Sequence, residues 1–486
     1  LKESKLMSLN PSRYQKVRIA HWNRVAAVKS RKQSASAFYH RLIQRYYQLF
    51  IPRELRVLEI GCGQGDLLAA VSPAFGVGLD FSEKMIEAAR KKHPKLHFIL
   101  ADAHEIPIHT HFDVIILSDL VNDLWDAQVI FEGLRPLCHP GTRIVINFYN
   151  NIWRMPLAGV NKLGLGADLL EQNWFSPNDV NNLLRLAGFE IINQRNKILF
   201  PLNVSWIQKF FNRYLANFVP FKWFALTNIT IARPQLPALL AEKETRNSPK
   251  VSVVVAARNE AGHIDSIFRH IRQLGGGTEL IFVEGHSTDN TYETIQETMD
   301  RYPALDCRLF RQSGKGKGDA VRLGFEKATG DILMILDADL TVPPEDLTRF
   351  YDALATGKGE FINGVRLVYP MEDEAMRFFN ILGNKFFSFA FSWLLEQPIK
   401  DTLCGTKVMW KKDYDMLAAN RSYFGDFDPF GDFDLLFGAA KLNLKIVEVP
   451  VRYRARHYGE TNIDRWRHGW MLLRMVVFAA RRMKFV

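Results

Sequence analysis

The stretch Ile332–Leu340, ILMILDADL, decides how the second half of the chain is read. Its apolar run stops abruptly at Asp337 and Asp339, the pattern of a buried parallel strand that delivers acidic side chains to the carboxyl edge of a sheet. Two carboxylates one residue apart can share a hard divalent cation, and such a cation neutralises a departing diphosphate. A solvated turn offers the same pair, so the flanking segments decide between the two.

Upstream, VSVVVAARNEAGHI is a buried strand that ends at Ala257, Arg258, Asn259 and Glu260, and ELIFVEGHSTDNT is a second that ends in Glu284 with Asp289 a short turn later. QSGKGKGDAVRLGFEKATGD then sets Gly314, Gly316 and Gly318 with Lys315 and Lys317 before an amphipathic helix. These lysines can hold phosphates as point charges, although the spacing is not that of a phosphate-loop ATPase. A series of acid-tipped strands around a diphosphate-sized site follows.

The first half repeats the βα alternation with different tips. In VLEIGCGQGDLL a short strand runs into Glu59, and Gly61, Gly63 and Gly65 form a tight turn where the backbone can approach a ligand before a helix starts. The next strand ends in GVGLDFS and places Asp80 to accept ribose hydroxyls. LHFILADA ends in Asp102 and Ala103, and FDVIILSDL ends near Ser118 and Asp119. Asp119, Asn122 and Asp123 follow the fourth strand, at the end where a substrate would meet a bound nucleoside, with helix capping as the alternative. His139 reads as structural. His21, Trp22, Tyr39 and Tyr46, in the basic helical opening, would cover the pocket or simply cap the core.

The chain has 486 residues, 47% of them apolar, and a formal charge of +11, which favours anionic partners. Its four cysteines have no paired ligand spacing, so they indicate neither a zinc site nor a disulfide scaffold and fit a reducing compartment. The first residues carry no secretory apolar segment. The Pro-containing run Arg233–Lys250 reads as a boundary, which divides the chain into a domain over 1–232, a linker over 233–250 and a domain over 251–486. The fold class expected is α/β in both domains. An aromatic insertion, PLNVSWIQKFFNRYLANFVPFKWF, would close an acceptor site, meet lipid or pack on the other domain. The basic residues alternate with apolar ones near the terminus, in WRHGWMLLRMVVFAARRMKFV, which suits an anionic leaflet better than a nucleic acid.

Glu59–Gly65, Asp80 and Asp102 with Ala103 resemble the motifs of class I S-adenosylmethionine-dependent methyltransferases, over about the first half of the chain. That resemblance implies a Rossmann-like sheet and S-adenosylmethionine bound by Glu59, Gly61, Gly63, Gly65, Asp80, Asp102 and Ala103. From Val251 onward the chain resembles the inverting GT-A glycosyltransferases that include dolichol-phosphate mannosyltransferase and bacterial polyprenyl-phosphate enzymes. The opening motif matches Ala257–Glu260, the nucleobase-side motif Glu284–Asp289, the GKG segment Gly316–Gly318 and the DXD motif Asp337–Asp339.

This second resemblance implies a nucleotide-sugar donor held by Ala257, Glu260, Glu284, Asp289, Lys317 and Asp337, with Mg2+ or Mn2+ on Asp337 and Asp339. Arg366 and Arg377 match arginines that meet an acceptor phosphate, and Asn384, Asp401, Gly405 and Lys407 match neighbouring motif positions. Arg456, Gly459 and Thr461 match a later motif in which Asn462 replaces lysine, with Arg456 closing on the donor diphosphate. Asp432 and Asp434 are the candidate base if the acceptor is a sugar hydroxyl. The expected protein is a cytoplasmic bifunctional transferase lying on the inner face of the cell membrane. It would act on a polyprenyl phosphate or glycolipid and methylate a related sugar. Two alternatives are transfer to a surface-glycan hydroxyl beside an unrelated methyltransferase, and a membrane-surface scaffold of degenerate domains.

Overall fold

A computed structural model describes residues 11–28, 35–162, 170, 172–235, 248–366, 378–420, 431–451 and 465–485. The chain forms two compact units that divide after Gln235, and each is an α/β layer structure around its own sheet. The Rossmann-like and GT-A-like arrangements are therefore both present.

In the first unit the strands are β1 (Arg56–Ile60), β2 (Phe75–Asp80), β3 (His97–Leu100), β4 (Phe112–Ser118), β5 (Cys138–Tyr149), β6 (Phe189–Lys197) and β7 (Thr227–Pro234). They lie in the order β3-β2-β1-β4-β5-β7-β6, with β7 antiparallel to both of its neighbours. The central strands are buried Val, Leu and Ile runs because helices cover both faces of a parallel sheet. Parallel register aligns Ile60 with Leu79 and Leu117, and Asp80 with Leu100, so the turns after β1 to β4 share one carboxyl edge. The expected boundary shifts here. Arg233 and Pro234 belong to β7, where the fully buried Arg233 guanidinium donates to Glu190, so the linker starts later than 233.

In the second unit β8 (Val251–Ala257), β9 (Thr278–Glu284), β10 (Asp306–Arg311), β11 (Ile332–Asp337), β12 (Phe361–Val365), β13 (Lys407–Trp410) and β14 (Ile446–Pro450) lie in the order β10-β9-β8-β11-β13-β12-β14. Parallel pairing sets Ala257 opposite Glu284 and Asp337 opposite Ala256, which brings the acid tips to one edge. β13 runs antiparallel beside β11, with Ile332 opposite Trp410 and Met334 opposite Val408; continuing that register puts Gly405 level with Asp337. The helix Arg465–Met483 buries Leu472, Met475 and Ala479 at helical spacing and leaves Trp470, Arg474, Val477 and Arg481 on its exposed side.

Candidate active sites

The first site starts from three glycines. Gly61, Gly63 and Gly65 all take positive φ, and a Cβ on Gly63 would meet nothing within 4 Å, so the middle of the turn faces open space. Gly61 and Cys62 anchor the turn by donating to the Leu79 carbonyl at 2.7 and 3.0 Å. Asp80 holds it from the other side, because its carboxylate accepts from Gly63 N at 2.9 Å and from Ser82 N at 2.8 Å. Glu59 is buried beneath and accepts from Leu68 N at 2.9 Å; burial pushes its carboxyl well above the usual range, although that bond opposes the shift. Glu59 therefore braces the loop from inside, while Asp80 borders it.

Asp102 and Ala103 follow β3 on the same edge. Burial raises the Asp102 carboxyl, but bonds from the His104 ring and backbone and from Gln15 outweigh that and hold it below the usual range. Gln15 belongs to a helix, Pro11–Val28, that fastens three of the turns. Asn23 accepts from Ser82 Oγ at 2.7 Å, Arg18 Nε donates to Asp123 Oδ1 at 2.8 Å, and Trp22 Nε1 donates to Asp123 Oδ2 at 2.9 Å. Sequence reading named Trp22 as pocket cover but missed Gln15, Arg18 and Asn23. Their only local signal is a polar stripe on a basic helix.

The residues proposed to meet a methyl acceptor separate in the structure. Asn122 is buried, accepting from Tyr149 N and donating to the Asn173 carbonyl, and Asp123 is taken by the N-terminal helix, so both are structural. Asp119 is different. It takes a positive φ and accepts from Tyr39 OH at 2.8 Å and Asn147 Nδ2 at 2.6 Å, and Tyr39 packs near Tyr149. His139 lies at the far end of the sheet, where Gly141 N donates to Nδ1 and Nε2 meets Asp113 at 3.0 Å, so its tautomer is set by the turn.

In the second site Lys317 Nζ pairs with Asp337 Oδ1 at 2.6 Å. Burial would raise the Asp337 carboxyl, yet Lys317, Lys407 and Arg366 hold it below the usual range. Asp339 moves the other way: burial and the neighbouring Asp337 charge push it up, and bonds from Thr341 N and Oγ1 only partly compensate. The pair thus has one oxygen-rich tip held ionised by lysine and one that gains from an added cation. A Cβ on Gly405 would fall 2.0 Å from Asp337 Oδ2 and 2.4 Å from Lys317 Nζ, so this glycine leaves the cradle open. Among the described residues no three acidic, His or Cys side chains cluster as a metal cage. The donor set fits Mg2+ or Mn2+ held by two carboxylates and completed by phosphate oxygens.

Around that tip, Glu260 meets His263 Nδ1 at 2.9 Å, and Glu284 accepts from Ser287 N and from Arg311 Nε at 3.1 Å. Asp289 accepts from Thr291 N at 3.1 Å and from Thr291 Oγ1, which makes it a turn acid at the next helix. Arg366 is not open to solvent in the way an acceptor ligand suggests: Nε and one Nη bind Asp401 at 2.7 and 2.8 Å, and Asp401 is wholly buried. Arg366 lies close enough to draw down the Asp337 carboxyl, as does the buried Lys407, whose Nζ donates to the Cys404 carbonyl. Gly431, at the start of the helix Asp432–Lys441, approaches Gly318, since a Cβ there would lie 2.6 Å from Gly318 Cα. Asp434 is buried in that first turn; the Asp432 side chain, with Arg377, Arg456 and the Asn384 side chain, lies outside the described residues.

One sheet edge is thus built around an open glycine turn and the other around a paired acid tip. Comparison with known proteins adds the family resemblances. Residues 57–141 match the family model for a methyltransferase domain, and residues 252–415 match that for glycosyl transferase family 2. Dolichol-phosphate mannosyltransferase of Pyrococcus furiosus is 30% identical over 219 residues, covering 44% of this chain and 59% of the relative. Undecaprenyl-phosphate 4-deoxy-4-formamido-L-arabinose transferase of Pseudomonas paraeruginosa is 32% identical over 111 residues, covering 22% of this chain and 33% of the relative. This chain thus spans less than two thirds of the length of each of these relatives. A solved S-adenosylmethionine-dependent methyltransferase from Mesorhizobium loti overlays with a TM-score of 0.31 at 19% identity, covering 39% of this chain and 95% of that one. The chain joins an S-adenosylmethionine methyltransferase-like domain to a GT-A glycosyltransferase domain that resembles the dolichol- and undecaprenyl-phosphate sugar transferases.

Proposed function

We propose that residues 251–486 transfer a sugar, with inversion, from a nucleotide sugar to a polyprenyl phosphate, and that residues 1–232 methylate a sugar-bearing product or precursor in the same pathway. The observation that carries the first half is the acid tip: an ionised Asp337 gripped by Lys317 beside an Asp339 whose carboxyl is pushed up, in a cradle kept open by Gly405. Asp337 and Asp339 would hold Mg2+ or Mn2+, which supplies neutralising charge to the leaving diphosphate. Lys317 then serves the same phosphates as a point charge. Ala257, Glu260, Glu284 and Asp289 border the nucleoside on the adjoining strand ends.

A phosphate monoester attacks as an anion, so no base is needed: its oxygen bonds to the anomeric carbon as the bond to the diphosphate breaks. Arg366, locked on Asp401, keeps this edge positive, and Arg377 with Arg456 would meet the acceptor phosphate and donor diphosphate. A second reading follows from the approach of Gly431 to Gly318. On this reading Asp432 or Asp434, which follow Gly431, would serve as base for a sugar hydroxyl.

In the first unit Gly61, Gly63 and Gly65 would receive S-adenosylmethionine, with Asp80 accepting from the ribose and Asp102 and Ala103 at the adenine. Glu59 supports that turn from below. No described helix is long and apolar enough to cross a membrane. The exposed Trp470, Arg474 and Arg481 suit the cytoplasmic face of an anionic membrane, where a lipid phosphate would be met.

The test offers UDP- and GDP-sugars with polyprenyl phosphate or a matched sugar alcohol, with divalent metal or chelator, and labelled S-adenosylmethionine in parallel. The reading expects metal-dependent sugar on the lipid phosphate and methyl label on the glycolipid or its sugar precursor. Sugar appearing only on the alcohol selects the second reading. Methyl label only on unrelated protein or nucleic acid rejects the shared pathway.

A further inference from the structure

The insertion between β6 and β7 is built inside out. Its Asn212 and Asn217 are buried: Lys197 Nζ, at the end of β6, donates to Asn217 Oδ1 at 2.7 Å, and Asn212 exchanges bonds with Phe200 N and the Phe200 carbonyl at 2.7 and 2.8 Å. Its large apolar side chains face out, with Trp206 74%, Trp223 55% and Phe224 53% exposed. The helix Arg154–Lys162, which follows β5, adds Met155 at 79%. Asn150 Nδ2 donates to the Trp223 and Ala225 carbonyls, each at 3.0 Å, and Trp153 Nε1 to that of Phe224 at 2.9 Å, so the two segments form one braced knob. Folding to hide amides while exposing indoles is unfavourable in water, and an exposed patch of this kind marks an interaction surface.

Charge selects the partner. No acidic residue occurs between Glu190 and Glu242, and Lys209 and Arg213 stand exposed among the aromatics with Lys222 half-buried. Two copies docking through this face would bring like charges together. An anionic bilayer surface satisfies both features, since indole and phenyl rings settle at the headgroup level while lysine and arginine meet lipid phosphates.

The geometry points to the Leu202–Phe224 knob as a seat in an anionic lipid surface, and so to a lipid-borne molecule as the methyl acceptor. Asn150 directly follows the carboxyl end of β5, and β7 begins opposite Tyr149, so the knob stands on the edge that carries Asp119 and Tyr149. Bilayer binding stands without the methyl-transfer reading; the acceptor class rests on it. The Arg465–Met483 helix carries exposed arginines of its own, Arg474 and Arg481, so the test changes them separately.

The test uses the full chain and sedimented vesicles of phosphatidylcholine with or without phosphatidylglycerol. Wild type is expected on the phosphatidylglycerol vesicles, with brominated lipid quenching tryptophan emission, and W206F/W223F should bind as well but lose most of that quenching. W206E/W223E should lower partitioning more than about tenfold with S-adenosylmethionine affinity unchanged. K209E/R213E, which changes only exposed side chains, should abolish the preference for phosphatidylglycerol. The proposal is overturned if both glutamate pairs partition as wild type does. It is also overturned if R474E/R481E alone removes binding, or if W206E/W223E converts a dimer to a monomer in sedimentation velocity without changing vesicle binding. A wild type that binds vesicles but not S-adenosylmethionine refutes the methyl-transfer reading alone.

Discussion

The two carboxyl edges of this chain face the same problem with opposite charge solutions. On the first, Asp80 and Asp102 accept hydrogen bonds from the protein's own N–H groups beside a glycine turn that faces open space. On the second, Asp337 leans on Lys317 and on two further cations behind it, while Asp339 beside it is pushed towards its neutral form. On the proposed function, an edge whose acids are held by hydrogen bonds would meet a neutral ribose without added charge, and an edge whose acids lean on cations would take a dication together with a diphosphate. What the strand tips bond to, on that proposal, separates the two chemistries.

The sharpest way to break this comparison is Asp339→Asn. We expect glycosyl transfer to fall by about a hundredfold or more, as for loss of a charge-stabilising group, with S-adenosylmethionine affinity unchanged by calorimetry. Full turnover in the presence of chelator would remove the metal from the second edge. Second in size is Asp80→Ala, which deletes two bonds to a charged acceptor worth about 1.5–3 kcal/mol each and should weaken S-adenosylmethionine about tenfold to a hundredfold while sparing sugar transfer. An unchanged dissociation constant would show that the first edge does not bind through this acid.

Arg366→Ala sharpens the account of the second edge. It leaves the wholly buried Asp401 without its ion-pair partner, a loss of about 3–5 kcal/mol read by denaturant unfolding of the second unit. Arg366 also holds the Asp401 carboxyl below its usual value against burial, so the folded form binds fewer protons than the unfolded chain near the ordinary carboxylate pKa of about 3.9. That stability is present above this pH and disappears as pH falls through the lower folded value. The Asp401→Asn protein should lack the acid-limb component. If wild type and Asp401→Asn lose stability in parallel below pH of about 4, the pair is not the source.

The smallest expected effect is at Ser82, whose Oγ accepts from Met85 N at 3.3 Å and caps the helix after Asp80. Ser82→Ala should cost about 1 kcal/mol in thermal unfolding and change S-adenosylmethionine affinity only a few-fold. A loss as large as that of Asp80→Ala would mean that the turn, and not the carboxylate, organises the first edge.

Much of this was legible from local pattern. Strands β1, β2, β9 and β11 are apolar runs that end in an acid or run straight into a glycine, and period and turn chemistry are properties of short stretches. The glycines at 61, 63 and 65 were readable for the same reason, since positive φ favours one residue type. Less visible were the partners. Asp119, Asn122 and Asp123 look equivalent in sequence, yet one faces the edge with Tyr39 while the others are held by Asn173 and Arg18. Arg366 reads as a free phosphate ligand until Asp401, distant in the chain, is seen to hold its fork.

By itself the sequence determined the two α/β units, the open turn and the acid tip, because each is written in a few consecutive residues. Only the tertiary structure decided that Gln15 reaches Asp102, that Gly405 leaves room for Asp337, and that Trp206 and Trp223 face outward while Asn212 and Asn217 are buried. Periodicity says that a face is apolar. What lies against it is set by chain segments far away in sequence, and those become neighbours only when the sheet has formed.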